Sequence, residues 1–281
     1  MRIIRTVEVM SSWSRARHRQ GQVIGLVPTM GALHAGHGAL IKAARSKCDV
    51  VVVSLFVNPR QFGPGEDLVQ YPRQITADAA LCRRENVDVL FTPARANVYP
   101  SNFQTSISVR KLSRRWEGEN RPGHFEGVAL IVTKLLSLVR PDRAFFGQKD
   151  FQQAVVIRRL IEDLNLGTRI VVCPTVREPD GLALSSRNGY LSSMQRRAAS
   201  VLYRALRAGG DAVRTGTRSG ARIRRVMRQV VGQQPQARID YLAVCDPDTL
   251  EPLERITHRT ILLGAIRVGR TRLIDNLLIK C

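Results

Sequence analysis

The sequence predicts an α/β fold, a parallel sheet wound on both faces by helices, with a smaller α+β portion after it. Three observations carry this. "DVVVVSLFVN" (49–58) is a continuous β-branched run, the pattern of a strand buried on both faces. Strand-like and helix-like stretches alternate with short connections, which implies right-handed βαβ units. Near residue 175 the alternation stops, and the chain turns helical and arginine-rich, then β.

Taken in order, "QVIGLVPTM" reads as a strand entering a loop and "GHGALIKAARSKC" as a helix, apolar at Leu40, Ile41, Ala43 and Ala44. After the 49–58 strand, "NPRQFGPGED" is a Pro- and Gly-rich loop. "TADAALCRREN" is helical and "VDVLFTP" a strand. "EGVALIVTKLLSLV" is a strongly apolar helix, "RAFFGQ" a short strand, "KDFQQAVVIRRLIEDLN" a long amphipathic helix and "TRIVVCPT" a buried strand. From Met194 the pattern is helical. "RIDYLAVCDPDTLEPL" then reads as two strands around a DPDT turn, and "RTILLGAIRVGRTRLIDNLLI" as further strands. The result is a Rossmann-like doubly wound sheet over 1–175 and a C-terminal α+β domain over 176–281.

At 281 residues with 44% hydrophobic and 24% charged residues, the chain is globular. The N-terminal stretch has no continuous apolar segment, and no apolar run approaches a membrane span, so a soluble cytoplasmic protein is expected. Cys48, Cys82, Cys173, Cys245 and Cys281 form no CxxC pair, which leaves reduced, buried thiols. Net charge is +21; of 44 basic residues six are lysine, leaving 38 arginines. They are dense over 196–228, where they alternate with apolar residues at helical spacing. That pattern is a solvated helix face or an anion- or nucleic-acid-binding surface. Aromatics are 5% of the chain and interleave no basic motif, so nucleic acid is not an expected partner.

The stretch that carries chemistry is "VPTMGALHAGHGALIKAAR" (27–45). It sets His34 and His37 where a strand turns into a helix. In open α/β sheets ligands bind at the carboxyl ends of strands, where helix N-termini attract anions. Glycines at 31, 36 and 38 would let a phosphate approach the backbone, and imidazoles can donate to its oxygens as charge builds. A metal reading lacks a nearby third ligand. A later serine- and arginine-bearing loop, "LALSSRN" (182–188), can clamp phosphates and move as a lid.

The HxGH pattern resembles that of the nucleotidylyltransferase and class I aminoacyl-tRNA synthetase superfamily. The ordered blocks "PTMGALHAGH", "FVNPRQFGPGEDLVQYPR", "RPGHFEGV", "PDRAFFGQKDFQQ" and "VREPDGLALSSRN" narrow the resemblance to the pantoate–β-alanine ligases, over most of residues 20–195. This resemblance implies a ligase that joins pantoate to β-alanine through a pantoyl adenylate, consuming ATP with Mg2+ and releasing AMP and pyrophosphate. It also implies a homodimer. Residues 1–175 would bind ATP and pantoate, and 176–281 would act as the lid domain. Other HxGH adenylyl transferases would not need the "NPRQFGPGED" and "GQKDFQQ" blocks together.

By the same resemblance, Met30, Gly31, Ala32, Leu33, His34, Ala35, Gly36 and His37 line the ATP site, with His37 catalytic and His34 a phosphate contact. Gln61 and Gln153 bind pantoate, and Gln61 lies near β-alanine. Gly147, Gln148, Lys149 and Asp150 form a nucleotide-binding segment, with Lys149 at the α-phosphate and Asp150 at the ribose. Gln153 would follow Lys149 one turn along the same helix face. Val176 touches adenine, while Leu184, Ser185, Ser186 and Arg187 form the lid, with Arg187 on the phosphates. Metal ligands are left unassigned. Arg121 and His124 could serve substrate or order a loop, and His18 and His258 read as surface residues. Gln148 stands where the family commonly has Glu, and Leu184 where it commonly has Met.

Overall fold

The computed structural model describes residues 1–280, so Cys281 lies outside the described residues. The chain divides into two compact units. The first spans 1–147 and 152–174; the second spans 148–151 and 175–281.

The first unit is built on six parallel strands in the order β1-β4-β3-β2-β5-β6. These are β1 (Arg2–Ile4), β2 (Ile24–Thr29), β3 (Val50–Leu55), β4 (Val89–Phe91), β5 (Arg143–Gly147) and β6 (Arg169–Cys173). Its helices are α1 (Val7–Arg19), α2 (Ala35–Arg45), α3 (Ile75–Arg84), the short α4 (Arg95–Val98) and α5 (Glu117–Asn120), α6 (His124–Val139) and α7 (Phe151–Asp163). The two-residue period of β3 shows why helices cover both faces. Val50 and Val52 enter one core with α1, α6 and α7 residues such as Met10, Leu135 and Ile157. Val51 and Val53 enter the other with Ile41 and Ala44 of α2 and Ala79 and Cys82 of α3. From β2 the chain moves outward through β3 to β4, then returns to pair β5 on the other side of β2. That reversal is the topological switch point, and its carboxyl edge is where such sheets bind ligands.

The second unit holds α8 (Ser193–Ala199), α9 (Val201–Arg214), α10 (Gly220–Gly232) and an antiparallel sheet β7-β8-β9 (Ala237–Cys245, Thr260–Val268, Thr271–Ile279). Leu202, Leu206 and Val213 of α9 and Ile223, Met227 and Val231 of α10 pack with Leu262 and Ile266 of β8. Arg204, Arg207 and Arg214 of α9 and Arg222, Arg225 and Arg228 of α10 are exposed, so the arginine-dense stretch is the outer face of amphipathic helices.

Two element readings need correction, and the N-terminus adds two elements that were not expected. "RIDYLAVCDPDTLEPL" yields one strand; the second survives only as a Cys245–Pro252 bridge. Pro252 has no N–H for a ladder, and Leu250 is left-handed at φ 59°. Lys149 is not on the helix that carries Gln153. Gln148–Asp150 is a 3-10 turn, and the α-helix begins at Phe151, as tightened first turns often do. The N-terminal stretch contributes both the edge strand β1 and helix α1. No described helix is long and apolar enough to cross a membrane. Cys48, Cys82, Cys173 and Cys245 are free and buried, and burial pushes the Cys82 thiol up to about 12.

Candidate active site

The turn after β2 is closed by its own histidines. The Gly36 N–H donates to His34 Nδ1 at 3.1 Å, and the His34 N–H donates to His37 Nδ1 at 3.3 Å. The two rings thus cap α2 reciprocally, with their centroids 4.2 Å apart. The geometry has a chemical consequence. A neutral imidazole whose Nδ1 accepts must carry its proton on Nε2, so both rings are set as Nε2–H donors. The first helix N–H groups are partly consumed in the caps; the Ala32 and Leu33 N–H groups are consumed by Asp78 of α3.

The adjacent strand β3 ends at Leu55, and three residues on Asn58 caps a 3-10 turn over Pro59–Gln61. Gln61 is buried there. Its Oε1 accepts from Asn58 Nδ2 at 3.1 Å, and its Nε2 lies 2.7 Å from Met30 Sδ. Met30 and Gln61, predicted separately, are therefore in contact. Asn58 is tied further to the Gly127 carbonyl at 2.9 Å and to the Tyr99 hydroxyl at 3.0 Å. A Cβ on Gly127 would overlap the Arg60 carbonyl, so α6 approaches this turn as closely as only glycine permits.

Arg121 and His124 order the loop. Arg121 grips Glu66 with two bonds of 2.7 Å, and His124 Nδ1 bonds the Gln61 carbonyl at 2.8 Å while its Nε2 lies 3.1 Å from Arg121. Burial, then the neighbouring Arg121 cation, pushes His124 down to about 4. Burial works against charge on Glu66 too, yet the Arg121 hydrogen bonds hold its carboxyl below the usual range.

Two neighbouring glutamines on α7 divide their work. Gln152 is buried and spent on the Leu112 and Arg115 carbonyls and the Glu117 N–H. Gln153 is half-buried, and its side-chain amide is not spent on those groups.

In the second unit, Lys149 Nζ lies 3.3 Å from Asp150. Asn276 of β9 receives the Gln148 amide at 3.2 Å and donates to the Gln148 and Lys149 carbonyls at 2.8 and 3.0 Å. Glutamine at 148 suits this contact because Asn276 Oδ1 needs a donor. Val176 and Leu184 face each other across a tight hairpin, Leu184 N–H to Val176 O at 3.0 Å. Arg177 in that hairpin pairs bidentately with buried Asp275 at 2.6 and 3.0 Å and stacks on Tyr203. Ser185 caps the 3-10 segment Ser186–Tyr190 through the Arg187 N–H. Sequence reasoning missed Asp78, Glu66, Asn58 and Asn276. Only Asn58, an N-cap directly before a proline, left a local signal.

His18 and His258 are exposed. At the opposite, amino-terminal edge of the six-stranded sheet, a cleft of about 850 Å3 is lined by Arg15, His18, Arg19, Leu136 and Arg140, among others. His18 and Arg19 sit in the last turn of α1, and Arg140 closes α6, where cations complement helix dipoles. No group of three or more His, Cys, Asp or Glu among the described residues is arranged to hold a metal ion.

A doubly wound sheet with an HxGH turn at its switch point defines the class: Rossmann-like α/β proteins of the HxGH type. Within it, the family model for pantoate-beta-alanine ligase matches residues 2–278. The pantothenate synthetase of Moorella thermoacetica is 49% identical over 280 residues, covering 100% of this chain and 99% of the relative. The crystal structure of the Thermus thermophilus enzyme superposes with a TM-score of 0.93 at 46% identity, covering 99% of each chain. A pantoate-beta-alanine ligase from Francisella tularensis, complexed with beta-gamma ATP and beta-alanine, superposes with a TM-score of 0.82 at 36% identity, covering 99% of this chain and 97% of that one. The chain belongs to the pantoate–β-alanine ligase family.

Proposed function

We propose that this ligase works in two steps on ATP, pantoate and β-alanine. The pantoate carboxylate attacks the α-phosphorus of ATP, forming pantoyl adenylate and releasing pyrophosphate. The β-alanine amine then attacks the acyl carbon, forming the amide of pantothenate and releasing AMP. A carboxylate is a poor acyl donor, and adenylation gives it a leaving group. The single observation that supports this reading best is the reciprocal cap of His34 and His37, which fixes two Nε2–H donors for the negative charge that builds on phosphoryl oxygens.

His37 carries the larger catalytic share and His34 assists, with Met30 to His37 forming the ATP-binding turn. Lys149 neutralises the α-phosphate, and Gly147 to Asp150 bind the nucleotide, with Asp150 at the ribose and Val176 at adenine. Ser185, Ser186 and Arg187 bind phosphates as the lid, with Leu184 beside them. Gln61 and Gln153 hold the pantoate hydroxyls and carboxylate, since an amide both donates and accepts. Magnesium accompanies the triphosphate as part of the substrate, as its preference for phosphate oxygens and water favours. The working form is a homodimer in the cytoplasm. The test is release of AMP and pyrophosphate that depends on both acids. Consumption of ATP with neither acid present, or a requirement for a nucleotide co-substrate, would refute the reading.

A further inference from the structure

The turn that presents His34 and His37 is held in an uncommon backbone conformation by a carboxylate no motif announced. Gly31 and Ala32 are consecutive left-handed residues, at φ 86° and 51°. Glycine takes this conformation freely; alanine takes it only where its surroundings impose it. Those surroundings are visible. The Gly31 N–H donates to Thr29 Oγ1 at 3.2 Å. Asp78, 3% exposed on α3, receives the Ala32 N–H on Oδ2 at 3.0 Å and the Leu33 N–H on Oδ1 at 2.7 Å. Each carboxylate oxygen serves one amide, and Oδ2 also lies 3.1 Å from where a Cβ on Gly31 would stand. The next residue, His34, is the cap from which both rings take their orientation.

A buried negative charge beneath a turn that meets phosphate works against anion binding. A turn serving only to attract anions gains nothing from it. A turn that must hold two imidazoles at fixed angles gains two charge-assisted hydrogen bonds on the residues just before them.

We propose that Asp78 is a positioning residue for the two histidines: by holding Ala32 left-handed it fixes the His34 cap and aims both Nε2–H groups. The proposal rests on the ligase reading above. It is tested with D78N, which keeps the volume but sets an NH2 against one backbone N–H, with A32G, and with the double variant. A32V is the complement, raising the cost of the left-handed turn while Asp78 stays intact. The readouts are kcat for pantoate-dependent pyrophosphate release, the half-saturating pantoate concentration, and the ring-nitrogen NMR signals of the histidines. The expected result for D78N is a kcat loss of about 10²-fold, the scale of a small misplacement, at unchanged pantoate half-saturation. The His34 and His37 ring signals shift while that of His124 stays. A32G in the D78N background regains about tenfold, the weight of one left-handed non-glycine residue. A32V reproduces the loss. A D78N enzyme of full rate, a rate loss with unmoved ring signals, or a double variant without recovery would overturn the proposal. A wild-type enzyme that released no pyrophosphate would instead refute the ligase reading, and the ring signals would still decide the role of Asp78.

Discussion

The two segments of this ligase for which we propose phosphate contacts are held by different bonds. The His34–His37 turn is anchored from afar: Asp78 lies more than forty residues on in α3, and the rings cap the helix they begin. The Ser185–Tyr190 segment carries near bonds, from the Arg187 N–H to Ser185 Oγ and from Asn188 to the Ala183 carbonyl. Its hairpin base is firmer, tied by Arg177 to Asp275 and by Arg196 to Asp180. The contrast teaches a division of labour. On the roles we propose, the donors that meet a transition state are fixed before substrate arrives, and the segment that admits and releases ATP stands on a paired base.

The comparison breaks most visibly at His37. His37→Ala lowers pyrophosphate release by about 10²–10³-fold, the scale of losing a pre-aligned donor. His37→Asn separates the two roles of the ring: its amide oxygen can restore the cap and the melting temperature, but not the rate. Comparable melting temperatures for the Ala and Asn variants would contradict the capping role.

On the other side, Lys149→Ala and Arg187→Ala lower the rate of the first half-reaction by about tenfold to 10²-fold, since each removes one charge-assisted contact. Both leave pantoate half-saturation unchanged and the melting temperature nearly so. Rapid-quench measurement of pyrophosphate with β-alanine omitted reads this effect, and an equal loss confined to the second half-reaction would contradict the assignment.

The glutamine pair sharpens the same distinction. Gln61→Ala and Gln153→Ala raise the half-saturating pantoate concentration by about tenfold, one lost hydrogen bond each. Gln152→Ala leaves it unchanged and costs about 1–3 kcal/mol of stability, because the Glu117 N–H and two carbonyls lose a buried partner. Steady-state kinetics beside urea melts separate the three variants.

A smaller effect follows from His124. Its pKa falls from 6.5 in the unfolded chain to about 4 in the fold, so between these values the unfolded chain binds more protons. Stability therefore rises with pH through that window, is complete above about 6.5, and is lost as pH falls toward about 4. The Glu66–Arg121 pair adds a loss in the acid range below the ordinary glutamate value, its carboxyl being depressed. Urea midpoints at pH 7 and pH 5 should differ in the wild type and draw together in His124→Asn. Smallest of all, Gln148→Glu sets a carboxylate against Asn276 Oδ1 and destabilises the second unit by about 1 kcal/mol.

What the sequence made legible was local. The β-branched run at 50–55, the HxGH turn and the amphipathic periods of α9 and α10 declare themselves because neighbours in sequence are neighbours in the element. What it hid was long-range pairing. Nothing in "TADAAL" marks Asp78 as a partner of residues 32 and 33, and nothing near Glu66 announces Arg121, because such pairs exist only once the sheet brings distant loops together. Family resemblance supplied the roles of Gln61 and Gln153; the geometry adds why Gln152, one residue away, is unsuited to them. The DPDT hairpin failed because two residues, Leu250 and Pro252, oppose a ladder that the alternation alone favoured.

In the mechanism we propose, the enzyme activates pantoate on ATP before β-alanine is needed, using donors already in place. The direct measurement is a single-turnover experiment with enzyme, ATP, magnesium and pantoate, β-alanine being withheld and then added. The account predicts a burst of one pyrophosphate per active site without β-alanine, AMP appearing only after its addition, and no burst in His37→Ala. Absence of the wild-type burst, with pyrophosphate and AMP released together only when β-alanine is present, would contradict it.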